Sequence, residues 1–372
     1  MAPTAATMTA EALAPYLARI LGGPVAVLAV RPLKGADAAG DPKGLGYGVP
    51  LEVECTVGGA PRHLVIARTR PTQGFSHDYP ADRAWQALFG HPAYNSFPRH
   101  VRSLDVGVLR ASGAIDSLAD AAEVFQVVEH AEGTLYWLDL QHLLDAPLRD
   151  LDVERATALA RFLADVHGER RDEPTLYHRR VRELIGHGEC LMGILDSYPH
   201  PYALLPVAAC RDVERAAVDW RWRLRDRTHR LARTHGDFHP WNLLFRARTD
   251  FTVLDRSRGE WGEPADDVAA LAINYLFFGL QAQAAGVTCG HGSHLALFRA
   301  FLDAYLTATG DAELLEVLPP FLAFRALVIG HPGWYPSLPD WERGRLLGWA
   351  QELLEGAVFD PVGMHGLFDG LP

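Results

Sequence analysis

The chain has 372 residues, 48% of them hydrophobic and 22% charged, with a net charge of −11 at pH 7. That length exceeds what one small core needs and suits two lobes or domains. The acidic balance disfavours non-specific binding to nucleic acid or to an anionic membrane. No apolar run reaches the roughly 18–20 residues of a membrane span, and the opening "MAPTAATMTAEALAPYLARI" lacks the basic and apolar regions of a signal peptide. The expectation is a cytoplasmic protein. Its four scattered cysteines, Cys55, Cys190, Cys210 and Cys289, read as reduced thiols rather than a disulfide or zinc framework.

The first third reads as β-rich. "VAVLAV" (25–30) is a short apolar run, and "PLEVECTV" (50–57) alternates, with Leu51, Val53, Cys55 and Val57 on one face. "HLVIART" (63–69) follows the turn "GGAP", completing a three-stranded meander. Between its first two strands lies "KGADAAGDPKGLGYG". The glycines there suit either a close approach to phosphates or a plain surface loop. "YPADRAWQALFG" (79–90) predicts a short helix with Ala84, Trp85 and Leu88 available to a core, and "EVFQVVEH" (123–130) predicts a further strand.

From about residue 135 the period becomes helical. "DVERATALARFLADVH" (152–167) carries Ala156, Leu159, Phe162, Leu163 and Val166 on one stripe. "RRVRELIGHGECLMGIL", "RDVERAAVDWRWRLRDRTHRLA", "DDVAALAINYLFFGL", "LALFRAFLDAYLTAT", "LLEVLPPFLAFRALVIG" (broken by its prolines) and "WERGRLLGWAQELLEG" are helical too. "CGHGSH", with His291 and His294, reads as a polar loop. "HPGWYPSLPDW" (331–341) reads as a loop whose Trp334, Tyr335 and Trp341 either pack between helices or stack on a ring-shaped ligand. The halves divide near "EHAEGT": a β-rich lobe at 1–128, a hinge at 129–134 and a helical lobe at 135–372.

One β signal remains in the helical half: "NLLF" (242–245), the turn "RARTD", then "FTVL" (251–254). Just before it stands "THGDFHPWNLLF". Its Pro-Trp pair cannot continue a helix, so this is a rigid loop entering a strand. A hairpin brings its two ends together, so Asn242 and Asp255 arrive side by side, with Asp237 a loop away. Two hard oxygen ligands and a further carboxylate suit a magnesium–phosphate site, one carboxylate receiving a hydroxyl proton.

"HGDFHPWN" resembles the HGDxxxxN catalytic loop of aminoglycoside phosphotransferases and choline-kinase-like enzymes, the counterpart of the protein-kinase HRDxxxxN loop. "VLD" (253–255) looks like that family's second metal-binding aspartate, "GEPADDVAAL" its GxPxxDLA segment, "LARFLADVH" its helix ending in LH and "VVEHAEG" the hinge that lines the adenine pocket. The resemblance runs from about residue 25 to about 275. It implies an α+β, two-lobed, protein-kinase-like fold with a small β-rich nucleotide-binding lobe and a larger, mainly helical C-terminal lobe. It implies ATP or GTP as co-substrate and Mg2+ as cofactor. Asp237 becomes the base that orients the acceptor hydroxyl, and Asn242 and Asp255 the metal ligands. Glu129 contacts the nucleotide, His235 packs beneath the loop, and Asp267 holds the loop's N–H groups.

The first lobe departs from that pattern. A lysine is expected in the third strand, where this chain has Arg68; lysine occurs only at Lys34 and Lys43. Its expected glutamate partner is missing between Glu54 and Glu123, leaving Asp78 and Asp82 as the nearest carboxylates. Either Arg68 takes the lysine's place with such an aspartate, or Lys34 or Lys43 does, or nucleotide binding is weakened. The expected partners are a nucleotide and a small acceptor (a sugar, an amino alcohol or an aminoglycoside-like molecule), with no nucleic acid, no membrane and the oligomeric state open. Three other readings remain: a nucleotide-binding pseudokinase module, a hydrolase using "HGDFH" as a metal cluster, and a protein kinase. The short "RSRGEWGEPADD" leaves the last little room for an activation loop.

Overall fold

The chain divides into two units, Met1–Val128 and Glu129–Pro372, in a computed structural model that describes residues 8–33, 48, 50–70, 76–284, 286, 288–356, 358–362 and 367–368. Lys34, Lys43 and the glycine-rich segment lie outside these residues.

In the first unit, helix α1 (Ala10–Leu21) starts where the Thr9 side chain accepts the Ala12 N–H at 3.2 Å. It stops at Gly22, whose φ of 72° is left-handed. Strands β1 (Val25–Pro32), β2 (Leu51–Val57) and β3 (Ala60–Ile66) form the antiparallel meander that alternation predicts. Leu13, Tyr16 and Leu17 of α1 pack on Val53 and Cys55 of β2 and on Ile115.

Arg68 lies beyond the end of β3 and is half-buried, a correction to its expected place in a strand spanning 63–69. The strand stops because the last β2 partner, Leu51, pairs with Ile66. Helix α2 (Pro80–Ser96) is longer than expected and buries none of its residues. Trp85 and Phe89, each 63% exposed, stack on one another with ring centroids 5.2 Å apart instead of entering a core. A hairpin of β4 (Gly107–Leu109) and β5 (Ile115–Ser117) follows, which the sequence reading does not anticipate. The strand expected over 123–130 is absent. No ladder partner meets it among the described residues, and Val124, Phe125, Val127 and Val128 are all exposed. High β-propensity without a partner strand does not make a strand.

The second unit begins with β6 (Thr134–Leu135), α3 (Tyr136–His142) and α4 (Asp150–His167). The helix expected over 179–195 is two, α5 (Pro174–Gly186) and α6 (Leu191–Ser197), separated by the glycine-bearing "HGEC". α7 (Val207–Leu224) ends before the predicted "RTHRLA", which is a 3-10 turn leading into β7 (Ala232–Arg233). β8 (Leu243–Phe245) and β9 (Phe251–Val253) form the expected hairpin, and β6 pairs with β8. β10 (Trp261–Gly262) pairs back onto β7, so the two short ladders bracket one loop system.

Helix α8 (Pro264–Ala284) is buried continuously from 267 to 280, as an all-round apolar helix must be. It packs against α9 (Thr288–Thr309), and α4 covers α9. α9 absorbs "CGHGSH", correcting the loop reading: His294 is fully buried, with Nε2 2.8 Å from the Leu140 carbonyl oxygen. Tertiary packing overrides the weak helix propensity of that stretch. α10 (Leu314–Val317), α11 (Pro319–Gly330) and α12 (Asp340–Glu355) complete the unit, with α11 buried almost throughout. Among the described residues no helix is long and apolar enough to cross a membrane.

Candidate active site

Strand β7 delivers the chain to His235, and Gly236 turns it with φ 87°. A Cβ at Gly236 would lie 2.8 Å from the Cβ of Arg258, so the position suits glycine on both conformational and steric grounds. Asp267, at the buried start of α8, accepts the N–H of His235 at 2.7 Å and that of Gly236 at 2.6 Å. Its Oδ2 also lies 3.1 Å from His167 Nε2. Burial opposes ionisation of Asp267, but His167 and the backbone N–H of His235 outweigh it and hold the carboxyl below the ordinary range. His235 is fastened beneath the loop, its Nε2 2.8 Å from the Leu254 carbonyl oxygen and its ring against Phe238.

Asp237 stands at the tip. Its Oδ1 accepts Nη1 of Arg325, from α11, and its Oδ2 lies 3.5 Å from His239 Nε2. Nη2 of Arg325 donates to the Gly236 carbonyl at 2.9 Å and to Asp266 Oδ1 at 2.7 Å. Burial raises the cost of charge on Asp237, but Arg325, with His239 and Arg258, more than offsets it and holds the carboxyl far below the usual carboxylate range. Asp237 is therefore ionised at neutral pH. Tyr335, half-buried nearby, is pushed up to about 12 by burial and by the Asp237 carboxylate.

After the 3-10 turn at 240–242, Asn242 donates its Nδ2 to the Asp237 carbonyl at 3.0 Å. Among the described residues its Oδ1 accepts no hydrogen bond. The hairpin register pairs Leu243 with Val253, and the Leu254 N–H donates to the Asn242 carbonyl at 2.8 Å. Asp255 follows at once, exposed, with φ 50° and no hydrogen bond or ion pair among the described residues. A non-glycine residue in the left-handed region is uncommon and is tolerated best by Asp and Asn. Arg256 donates to the Thr234 carbonyl at 2.9 and 2.7 Å, tying the segment after Asp255 to the one before His235.

The structure thus brings Asp237 and Asn242 into contact and sets Asp255 beside Asn242 at the end of the hairpin. Two hard oxygens, the Asn242 amide and the Asp255 carboxylate, fit a magnesium ion by their chemistry. Of the other two expected residues, Arg68 is in the first unit, and Glu129 is exposed at the start of the second. Asp82 accepts the Tyr79 N–H at 2.9 Å to cap α2. The metal-cluster reading of "HGDFH" finds no support. The one group of three potential ligands among the described residues is Glu52, Glu54 and His63, and there both glutamates pair with Arg31. Of the 331–341 aromatics, Trp334 is 66% and Trp341 41% exposed, so burial between helices does not hold for these two, whereas Tyr335 is half-buried. Tyr335 lies edge-on to Trp241, which stacks on Trp137 at 5.9 Å.

Sequence reasoning misses Arg325. Its signal is a single arginine inside the apolar "LAFRALVIG", because a buried guanidinium must find carboxylates or carbonyls.

A family profile described as the phosphotransferase enzyme family matches residues 93–316, more than half of the chain. Among curated protein sequences none matches. Similar solved structures include a glucosamine kinase in complex with glucosamine, ADP and inorganic phosphate (18% identity, TM-score 0.31), matched over 58% of this chain and 58% of that one. The amicoumacin kinase hAmiN in complex with AMP-PNP, Ca2+ and Ami is 15% identical over 89% of this chain and 90% of that one, with a TM-score of 0.39. The choline kinase LicA from Streptococcus pneumoniae is 13% identical over 93% and 98%, with a TM-score of 0.35.

Proposed function

Because this chain belongs to the phosphotransferase enzyme family and is a phosphotransferase enzyme, we propose that it moves the γ-phosphoryl group of ATP or GTP to a hydroxyl of a small alcohol, with Asp237 as the base. Its fold is α+β, with a smaller unit built on the β-meander and a larger helical one. The observation that carries the proposal is the arrangement at the loop. Asp237 is held ionised by Arg325, the Asn242 amide is turned so that its oxygen is left over, and Asp255 is presented at the paired end of the hairpin.

In this mechanism Asp237 Oδ2 faces the acceptor hydroxyl, orients it and takes its proton as the oxygen attacks phosphorus. Oδ1 is occupied by Arg325, so the carboxylate cannot rotate to present both oxygens. Asn242 Oδ1 and the Asp255 carboxylate would hold Mg2+, which when bound neutralises the charge of the nucleotide's phosphates. Arg68 and Glu129 are assigned to the nucleotide on the family resemblance. The acceptor belongs to the class of sugars, amino alcohols or aminoglycoside-like molecules, and the half-buried Trp241 and Tyr335 offer it ring faces. Arg68 in place of a lysine favours the second reading, a module that binds nucleotide without turnover.

A panel assay separates the two. ATP or GTP, with Mg2+, is offered with glucosamine, choline, an amicoumacin and an aminoglycoside, and phosphorylated product is read by mass spectrometry. Product from at least one alcohol supports the transferase. Nucleotide binding with no product from any alcohol supports the module.

A further inference from the structure

Arg325 is buried on α11, 88 residues after Asp237 in sequence, and one guanidinium reaches three groups that define the catalytic loop. They are the Asp237 carboxylate, the Gly236 carbonyl and the Asp266 carboxylate. The Gly236 peptide groups are therefore gripped on both sides, N–H by Asp267 and C=O by Arg325. Helix α8 supplies one grip directly through Asp267 and braces the other through Asp266. A planar fork satisfies three fixed acceptors at once, which a lysine ammonium on a flexible stem does not. The Nε of Arg325 has no partner among the described residues. An arginine kept in an apolar helix, with one N–H unsatisfied, is a poor way to gain stability, because the charge must be taken out of water.

We infer that Arg325 is the positioning residue of phosphoryl transfer: it fixes the rotamer of Asp237 and the turn at Gly236, so that Oδ2 alone faces the acceptor. This rests on the reading of Asp237 as the base. The groups around the carboxylate are Arg325 from α11, Asp266 from α8, Arg258 from the segment after β9, His239 from the loop and Tyr335 from the segment after α11. Of these, Arg325 is the one that joins the side chain of Asp237 to the backbone beneath it.

The test uses the full chain and ATP–Mg2+ turnover with water as acceptor, so no alcohol need be identified. It is paired with crystal structures of the variants. In Arg325→Gln the Asp237 carboxylate should leave its rotamer. The kcat should fall about 10- to 100-fold, the scale of a misplaced reacting group, with the KM for ATP unchanged. Arg325→Lys should fold like the wild type and recover part of the loss, keeping the charge while losing the fork. On an Asp237→Asn background, Arg325→Gln should cause no further fall, because the two act as one unit. The inference is overturned if Asp237 keeps its rotamer in the Arg325→Gln crystal. It is overturned equally if the Arg325→Gln loss persists in full on the Asp237→Asn background, or if KM rises while kcat holds. Undiminished turnover in Asp237→Asn alone would instead remove the base reading on which the inference stands.

Discussion

Replacing Asp267 with alanine takes away one carboxylate and leaves three donors without it. The N–H groups of His235 and Gly236, now bonded at 2.7 and 2.6 Å, lose their acceptor, and His167 loses its partner at 3.1 Å. Asp267 and His167 are fully buried, so water does not replace the carboxylate freely. Each buried N–H left unmade costs about 1–3 kcal/mol, and more where the lost acceptor was a carboxylate. We expect a loss of about 3–5 kcal/mol rather than the sum, because the cavity partly relaxes. Urea denaturation followed by tryptophan fluorescence reads it, and hydrogen exchange at the Gly236 amide reports the local opening. The pH dependence has a definite sign. The folded carboxyl lies below its unfolded value, so its stabilisation is full above about pH 4. It is lost as pH falls through the folded value, and the gap between wild type and Asp267→Ala should close below about pH 4. A variant within about 1 kcal/mol of wild type at neutral pH would refute the claim that Asp267 secures the loop.

Asp237→Asn should keep nucleotide binding and lower turnover by about 10²–10⁴-fold, the range for loss of a general base; steady-state kinetics with ATP and an accepted alcohol decide it. Asp255→Ala should abolish the Mg2+ dependence of nucleotide binding in calorimetric titration, whereas retained dependence would take Asp255 out of the metal site. Gly236→Ala places a side chain at φ 87° and against Arg258. It should cost at least about 1–2 kcal/mol and reduce kcat along with the melting temperature; an unaffected kcat would mean that the turn does not set the geometry of Asp237.

What could be read from the sequence was local. "HGDFHPWN" shows itself because proline, glycine and several polar side chains crowd a span too short for anything but a loop, and "NLLF…FTVL" forces its ends together. Asp267 could be assigned because "GEPADDVAAL" resembles the family's GxPxxDLA segment, and its place at the start of a long apolar helix agrees with that. The losses came where distant packing decides. Arg325 sits in a helix whose neighbours are all apolar, and nothing local says which carboxylate it meets. His294 lies in a glycine-bearing stretch that would be a loop in isolation and becomes a helix under the cover of α8. The run at 123–130 has the composition of a strand and lacks the partner that would make it one. β4 and β5 are three residues each, too short for alternation to register.

The most direct test of the account is diffraction from crystals grown with AMP-PNP and Mn2+, read at the manganese edge. The account predicts an anomalous peak within coordination distance of Asn242 Oδ1 and an Asp255 carboxylate oxygen, with Asp237 Oδ2 facing the place of the acceptor hydroxyl and Oδ1 still on Arg325. A peak with neither Asn242 nor Asp255 among its ligands, directly or through water, would contradict it.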